Sequence, residues 1–168
     1  ALGNGGKGVH LMGDGTCAND VVSGNLGSGV FVEGSANVLY NDKIGVGKDG
    51  KTPVANGTSG VLLFDASENF VGLAGEGTNI IAGNGTAGVD VSGGSQNQIV
   101  NNWIGVGTGP VAVGNQYGVY LQGNTSGNTI GGLTGADRNV ISGNSIYGVY
   151  ITDGATGNIV EGNYIGTD

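Results

Sequence analysis

Three carboxylates of the first hundred residues invite a catalytic reading. Glu33, Asp65 and Asp90 fall on or just after the same kind of segment in three successive repeats. If those segments are strands stacked about 4.8 Å apart, acids one repeat apart would lie roughly 5 Å from each other, and those two repeats apart roughly 10 Å. Such separations approximate the retaining and inverting arrangements of glycosidases. The three do not share one phase, however, and scattered surface acids suit a chain of net charge −8, so a solvated acidic face is the plainer reading. Aromatic residues form a second constellation. Tyr120 and Tyr150 share an outward phase, Tyr117 and Tyr147 stand at the corner just before it, and Trp103 and Tyr164 share a phase of another strand. Rings in rows offer sugars apolar faces while nearby Asn and Asp bind hydroxyls. Cross-strand stacking that only stabilises the fold is the competing reading.

Metal chemistry has weaker support. Asp49 in "GKDGKTP" and Asp168 in the terminal "GTD" could offer oxygens to calcium, the one cofactor an acidic surface suits. Neither loop places acids at alternate positions, as converging calcium ligands require, so no metal site and no other cofactor is expected. His10 is the single histidine, at an outward position, which argues against zinc. Asn-x-Ser/Thr matches at Asn56, Asn84 and Asn124 are read as chance in a chain this rich in Asn and Thr.

Composition bounds what could position these residues. The chain has 168 residues, with 39 Gly and only 2 Pro, and 38% of its residues are hydrophobic. Dense glycine implies disorder or many tight turns, and the fixed phase of the apolar residues selects the turns. With 13 acidic against 5 basic residues the chain lacks the basic footprint of a nucleic-acid binder. Cys17 is alone, so no intrachain disulfide is possible. No apolar run approaches the roughly 20 residues of a membrane span.

Self-similarity decides the fold. A Gly-Val dipeptide recurs at Gly8, Gly29, Gly60, Gly88, Gly118 and Gly148, with spacings of 21, 31, 28, 30 and 30. In each "GVxZ" the second position is Val, and the fourth is Leu11, Val32, Leu63, Val91, Leu121 or Ile151. The third is His10, Phe31, Leu62, Asp90, Tyr120 or Tyr150, which share no chemistry. Period two with one uniform face describes a strand whose second and fourth residues enter a core and whose third points out. Segments of the form "N-x-apolar" place Val22, Leu39, Val71, Ile81, Ile99, Ile130, Ile141 and Val160 likewise, and Ile44, Ile104 and Ile165 mark a further strand in alternate turns. Three short strands per turn with Gly/Asn corners predict an all-β fold: a right-handed, single-stranded parallel β-helix of about six turns over residues 1–168. Asn25, Asn84 and Asn144, and in another corner Asn102 and Asn163 with Asp42 substituting, are expected to stack as ladders.

The stretches "NVISGNSIYGVYI" (139–151), "GNIVEGNYIGTD" (157–168) and "NTIGGLTGADRNVISGN" (128–144) resemble the repeats of pectate-lyase-like parallel β-helix proteins of the bacterial secreted or surface type. That resemblance implies a secreted or cell-surface location and a range of activities from lyases and hydrolases to adhesins and inert stalks. A lyase of that kind would set a catalytic Arg or Lys against clustered calcium-binding acids. Here Arg138 is the only arginine, and Lys7, Lys43, Lys48 and Lys51 face no pair of acids on any expected strand. The leading expectation is therefore a non-catalytic structural or adhesive segment that contacts carbohydrate through its outward aromatic and Asn/Asp rows. A polysaccharide lyase or glycoside hydrolase using Asp65, Asp90 and Glu33 is the alternative. The chain starts and stops inside one type of loop, "ALGN" and "IGTD", and no capping helix is apparent. Continuation in a longer repeat array, or end-to-end stacking of copies, is the corresponding expectation.

Overall fold

The computed structural model describes residues 2–109 and 111–167. Eighteen strands, β1 to β18 in chain order, form three six-stranded parallel sheets. The first sheet contains β1 (Val9–Leu11), β4 (Val30–Val32), β7 (Val61–Phe64), β10 (Ala87–Ser92), β13 (Tyr117–Gln122) and β16 (Tyr147–Ile151). The second contains β2 (Thr16–Ala18), β5 (Val38–Tyr40), β8 (Phe70–Val71), β11 (Gln98–Ile99), β14 (Thr129–Gly131) and β17 (Ile159–Glu161). The third contains β3 (Val21–Val22), β6 (Lys43–Ile44), β9 (Asn79–Ile81), β12 (Asn102–Ile104), β15 (Val140–Ile141) and β18 (Tyr164–Ile165). Every strand pairs only with its counterparts one turn away. The expected six turns of three strands are thus present, and no described residue is helical.

Register turns the repeat into columns. Val9, Val30, Val61, Val89, Val119 and Val149 are successive partners, as are the six residues of the fourth position. In the middle turns both columns are fully buried. The second sheet contributes Leu39, Val71, Ile99 and Ile130, and the third Ile44, Ile81, Ile104 and Ile141, all at 0% exposure. Burial of each such side chain stabilises the fold by about 1.5–3 kcal/mol. Cys17 takes the same inward place in β2, as the partner of Leu39, where the other turns carry an aliphatic residue.

Asparagine ladders close the corners, in three rows rather than the two expected. Asn4, Asn25, Asn56, Asn84, Asn115 and Asn144 form one continuous row, each Nδ2 donating to the next Oδ1 at 2.8–3.1 Å. Asn37, Asn69, Asn97, Asn128 and Asn158 form a second at 2.8–3.0 Å. Asn79, Asn102, Asn139 and Asn163 form the third at 2.8–2.9 Å, and Asp42 precedes Asn79 in it. The Asn-x-Ser/Thr matches at Asn56 and Asn84 are ladder residues at 0% and 5% exposure. The first ladder also explains the glycine of every "GV" before the last turn. A Cβ on Gly60 would meet Asn84 Nδ2 at 2.7 Å and the Gly88 carbonyl oxygen at 2.8 Å, so close approach excludes a side chain.

Alternate turns carry a loop. Val46 bridges Pro53 and Val106 bridges Ala112, both antiparallel, and the second loop stacks on the first through Thr108 N–H to Gly50 O at 2.8 Å. Between them Val46, Ile80, Ala82 and Val113 form a small apolar cluster outside the main core. At the last turn Val160 and Ile165, inward in phase, are 40% and 45% exposed. No described helix is long and apolar enough to cross a membrane.

Candidate functional site

The outward column of the first sheet runs His10, Phe31, Leu62, Asp90, Tyr120, Tyr150, as the repeat requires. Its far end is a four-ring cluster. Tyr120 and Tyr150 stack at 5.3 Å between centroids with 10° between planes. Tyr117 stacks on Tyr120 at 5.0 Å, and Tyr147 lies 4.9 Å from Tyr150. Tyr117 and Tyr147 come into line because they are register partners at the starts of β13 and β16. Tyr147 is half exposed and the other three partly buried, so the cluster presents an amphipathic surface of ring edges and hydroxyls. Burial and the carboxylates of Asp153 and Asp90 raise the Tyr120 hydroxyl above its ordinary pKa, so it stays a hydrogen-bond donor at neutral pH.

At the other end of the column Phe31 is 7% exposed although its side chain points outward. The Lys7 ammonium lies 2.9 Å from its ring centroid, the His10 ring meets it edge-on at 5.0 Å, and Phe64 stacks at 6.1 Å. Local side chains therefore cover the Phe31 end of the outward column.

The three acids occupy three different columns. Asp90 stands between Leu62 and Tyr120, accepting from Gln122 Nε2 at 3.0 Å and Ser59 Oγ at 3.3 Å. Burial raises its carboxyl pKa, and those two hydrogen bonds oppose the rise. Glu33 stands two positions on from that column and pairs with His10 Nε2 at 2.7 Å, both side chains about 40% exposed. Asp65, one residue further, occupies a left-handed turn with φ 47°. Among the described residues these three acids do not form a group able to hold one metal ion.

Trp103 and Tyr164 share an outward phase in the third sheet, but Val140 separates them in register. Arg138 covers Tyr164, its guanidinium carbon 4.2 Å from the ring centroid, and donates from Nη1 to the Tyr164 hydroxyl at 2.8 Å. Trp103 instead borders an apolar groove of about 490 Å³ with Val106, Val111, Ala112, Val140 and Ser142. Val106, Val140 and Ser142 repeat the positions of Val46, Ile80 and Ala82 one two-turn unit later.

The loop acid Asp49 is already engaged. Its carboxylate accepts from the backbone N–H groups of Lys51 and Thr52 and from Thr52 Oγ1, which holds its pKa down to about 2. Asp168 lies outside the described residues. Among the described residues the one grouping of three metal-ligating side chains is Cys17, Asp20 and Asp42. Sequence reasoning passed over it, although Cys17 interrupts an aliphatic column and Asp42 an asparagine ladder.

Three parallel sheets wound by short turns around one apolar core define the molecule as a parallel β-helix. The chain belongs to the right-handed β-helix family, since the family model described as "Right handed beta helix region" matches residues 2–165. No curated protein and no solved structure matches it significantly.

Proposed function

We propose that the chain is a non-catalytic structural and adhesive segment of a secreted or cell-surface protein of the pectate-lyase-like type, which contacts carbohydrate through the tyrosine cluster. The observation that supports this reading is the cluster itself: four rings on adjacent turns, bordered by the carboxyl of Asp90 and the amide of Gln122. Partly exposed tyrosines combine apolar area with hydroxyls, the mixture a sugar ring requires. The rigid sheet beneath holds them without an entropy cost at binding. A lyase or hydrolase is not favoured, because Glu33, Asp65 and Asp90 stand in separate columns and Glu33 is paired with His10.

A glycan array, with reducing-sugar and unsaturated-product assays on any glycan retained, tests the reading. Binding without turnover is expected, weakened tenfold or more by Tyr150→Ala with the far-ultraviolet circular dichroism unchanged. Turnover abolished by Asp90→Asn would replace this reading with the enzymatic one. Retention of no glycan would remove the carbohydrate contact and leave the scaffold.

A further inference from the structure

We propose that Cys17, Asp20 and Asp42 form a binding site for one divalent transition-metal ion of the zinc type, independent of the tyrosine face. Three departures from the repeat coincide there. Cys17 stands in the column of Leu39, Val71, Ile99 and Ile130, and Asp42 and Asp20 follow one another at the first-turn end of the ladder of Asn79, Asn102, Asn139 and Asn163. One donor atom from each of the three lies within 4.8 Å of the others. The Cys17 sulfur is 3.7 Å from Asp20 Oδ2. A tetrahedral zinc site with sulfur at about 2.3 Å and oxygen at about 2.1 Å places those two ligand atoms about 3.6 Å apart.

The ladder shows what Asp42 lacks. Asn79 Oδ1 accepts the Asp42 N–H at 2.9 Å, and Asn79 Nδ2 donates to Asn102 Oδ1 at 2.9 Å and to the Leu39 carbonyl at 3.0 Å. Asp42 Oδ1 performs the first task, accepting the Asp20 N–H at 2.9 Å. Its Oδ2 then stands where an amide NH₂ would stand, and it has no hydrogen-bond partner although the residue is 0% exposed. A buried acceptor in a donor's place calls for a positive charge, since leaving it unpaired is costly. The thiol beside it decides which cation. Sulfur favours zinc and its neighbours in the first transition row over calcium and magnesium, which take oxygen alone. Cys17 and Asp42 are buried and Asp20 is exposed, so the fourth coordination position opens to water on the Asp20 side. Binding replaces the S–H bond with a sulfur–metal bond and releases that proton to solvent.

Equilibrium dialysis of chelator-stripped protein against Zn²⁺, with metal counted per chain, tests the site, and Co²⁺ reports the ligands. One ion per chain is expected, and the cobalt form should show a sulfur-to-metal charge-transfer band. Asp42→Asn restores the ladder amide and so preserves the fold, and it should weaken binding at least 100-fold. Cys17→Val restores the aliphatic column and should abolish the charge-transfer band. Absence of bound zinc at micromolar free metal would overturn the proposal and leave Asp42 Oδ2 to a proton. Binding unchanged in both variants would overturn it as well.

Discussion

Replacing Asn97 by alanine should cost more than any surface change in the molecule. Asn97 is fully buried at the corner before β11. Its Oδ1 accepts from the backbone and side-chain nitrogens of Asn69, both at 3.0 Å, and its Nδ2 donates to Asn128 Oδ1 and the Ala66 carbonyl, both at 2.8 Å. Alanine removes all four bonds and leaves the Asn69 backbone N–H without an acceptor. At about 1 kcal/mol net per bond, with about 1–2 kcal/mol more for the orphaned donor, the loss is about 5–6 kcal/mol. Because a solenoid is stabilised level by level, the damage should concentrate in the turns around Asn97. Urea unfolding followed by Trp103 fluorescence gives the total, and amide hydrogen exchange at Asn69 and Asn128 locates it. Asn124→Ala is the control, since Asn124 is exposed and outside the ladders, and it should stay within about 0.5 kcal/mol. A loss below about 1 kcal/mol at Asn97 would show that the ladders are ornaments on a core that needs no corners.

Three further perturbations test separate parts of the structure. Because burial raises the Asp90 carboxyl, the folded state binds its proton more tightly than the unfolded state. Stability from this group therefore falls as pH rises above the unfolded value of about 4, and Asp90→Asn should raise Tm at pH 7 but not at pH 3. Asp49 is the opposite case: its pKa is lowered, so its loop bonds persist above the unfolded value and weaken as pH falls toward about 2. Protection of the Lys51 and Thr52 amides, taken relative to their intrinsic exchange rates, should fall over that range, and Asp49→Asn should remove it at neutral pH. Gly72 and Gly75 have φ of 89° and 84°, but a Cβ on Gly72 would overlap the Val100 carbonyl, whereas Gly75 faces open space. Alanine at Gly75 should cost about 1–2 kcal/mol from backbone strain alone, and alanine at Gly72 at least twice as much by urea midpoint.

The core was legible because it obeys a period of two over six turns. Val30 and Val32 alternate with an outward Phe31 whatever their surroundings, so pattern alone assigns them. The ladder of Asn37, Asn69, Asn97, Asn128 and Asn158 was harder, because each of these also opens an "N-x-apolar" strand, whose apolar residue dominates the pattern. Asn56 and Asn115 were hidden in the loop-ending strings "PVANG" and "VAVGN". Burial of Phe31 depends on where Lys7 comes to rest, which no repeat specifies. The Cys17, Asp20 and Asp42 grouping needed both kinds of knowledge at once. Gly8 and Gly29 are only 21 residues apart, and this short first turn obscures that Cys17 is the counterpart of Leu39. The tyrosine quartet was visible as spacing, but the separation of Glu33, Asp65 and Asp90 into distinct columns required the register of β4, β7 and β10.

The ladders also give the rod a direction. In every pair of the three ladders the amide nitrogen of the earlier turn donates to the oxygen of the later one, whereas the exposed pair outside them, Asn41 Nδ2 to Asn19 Oδ1, runs the other way. A plane drawn between two turns therefore has amide donors on one side and acceptors on the other at its asparagine-ladder corners. Whole turns can be inserted or removed across such a plane without disturbing its chemistry, whereas an inverted turn would set oxygen against oxygen. Growth of this architecture is thus a vector process, in which length varies freely and orientation does not.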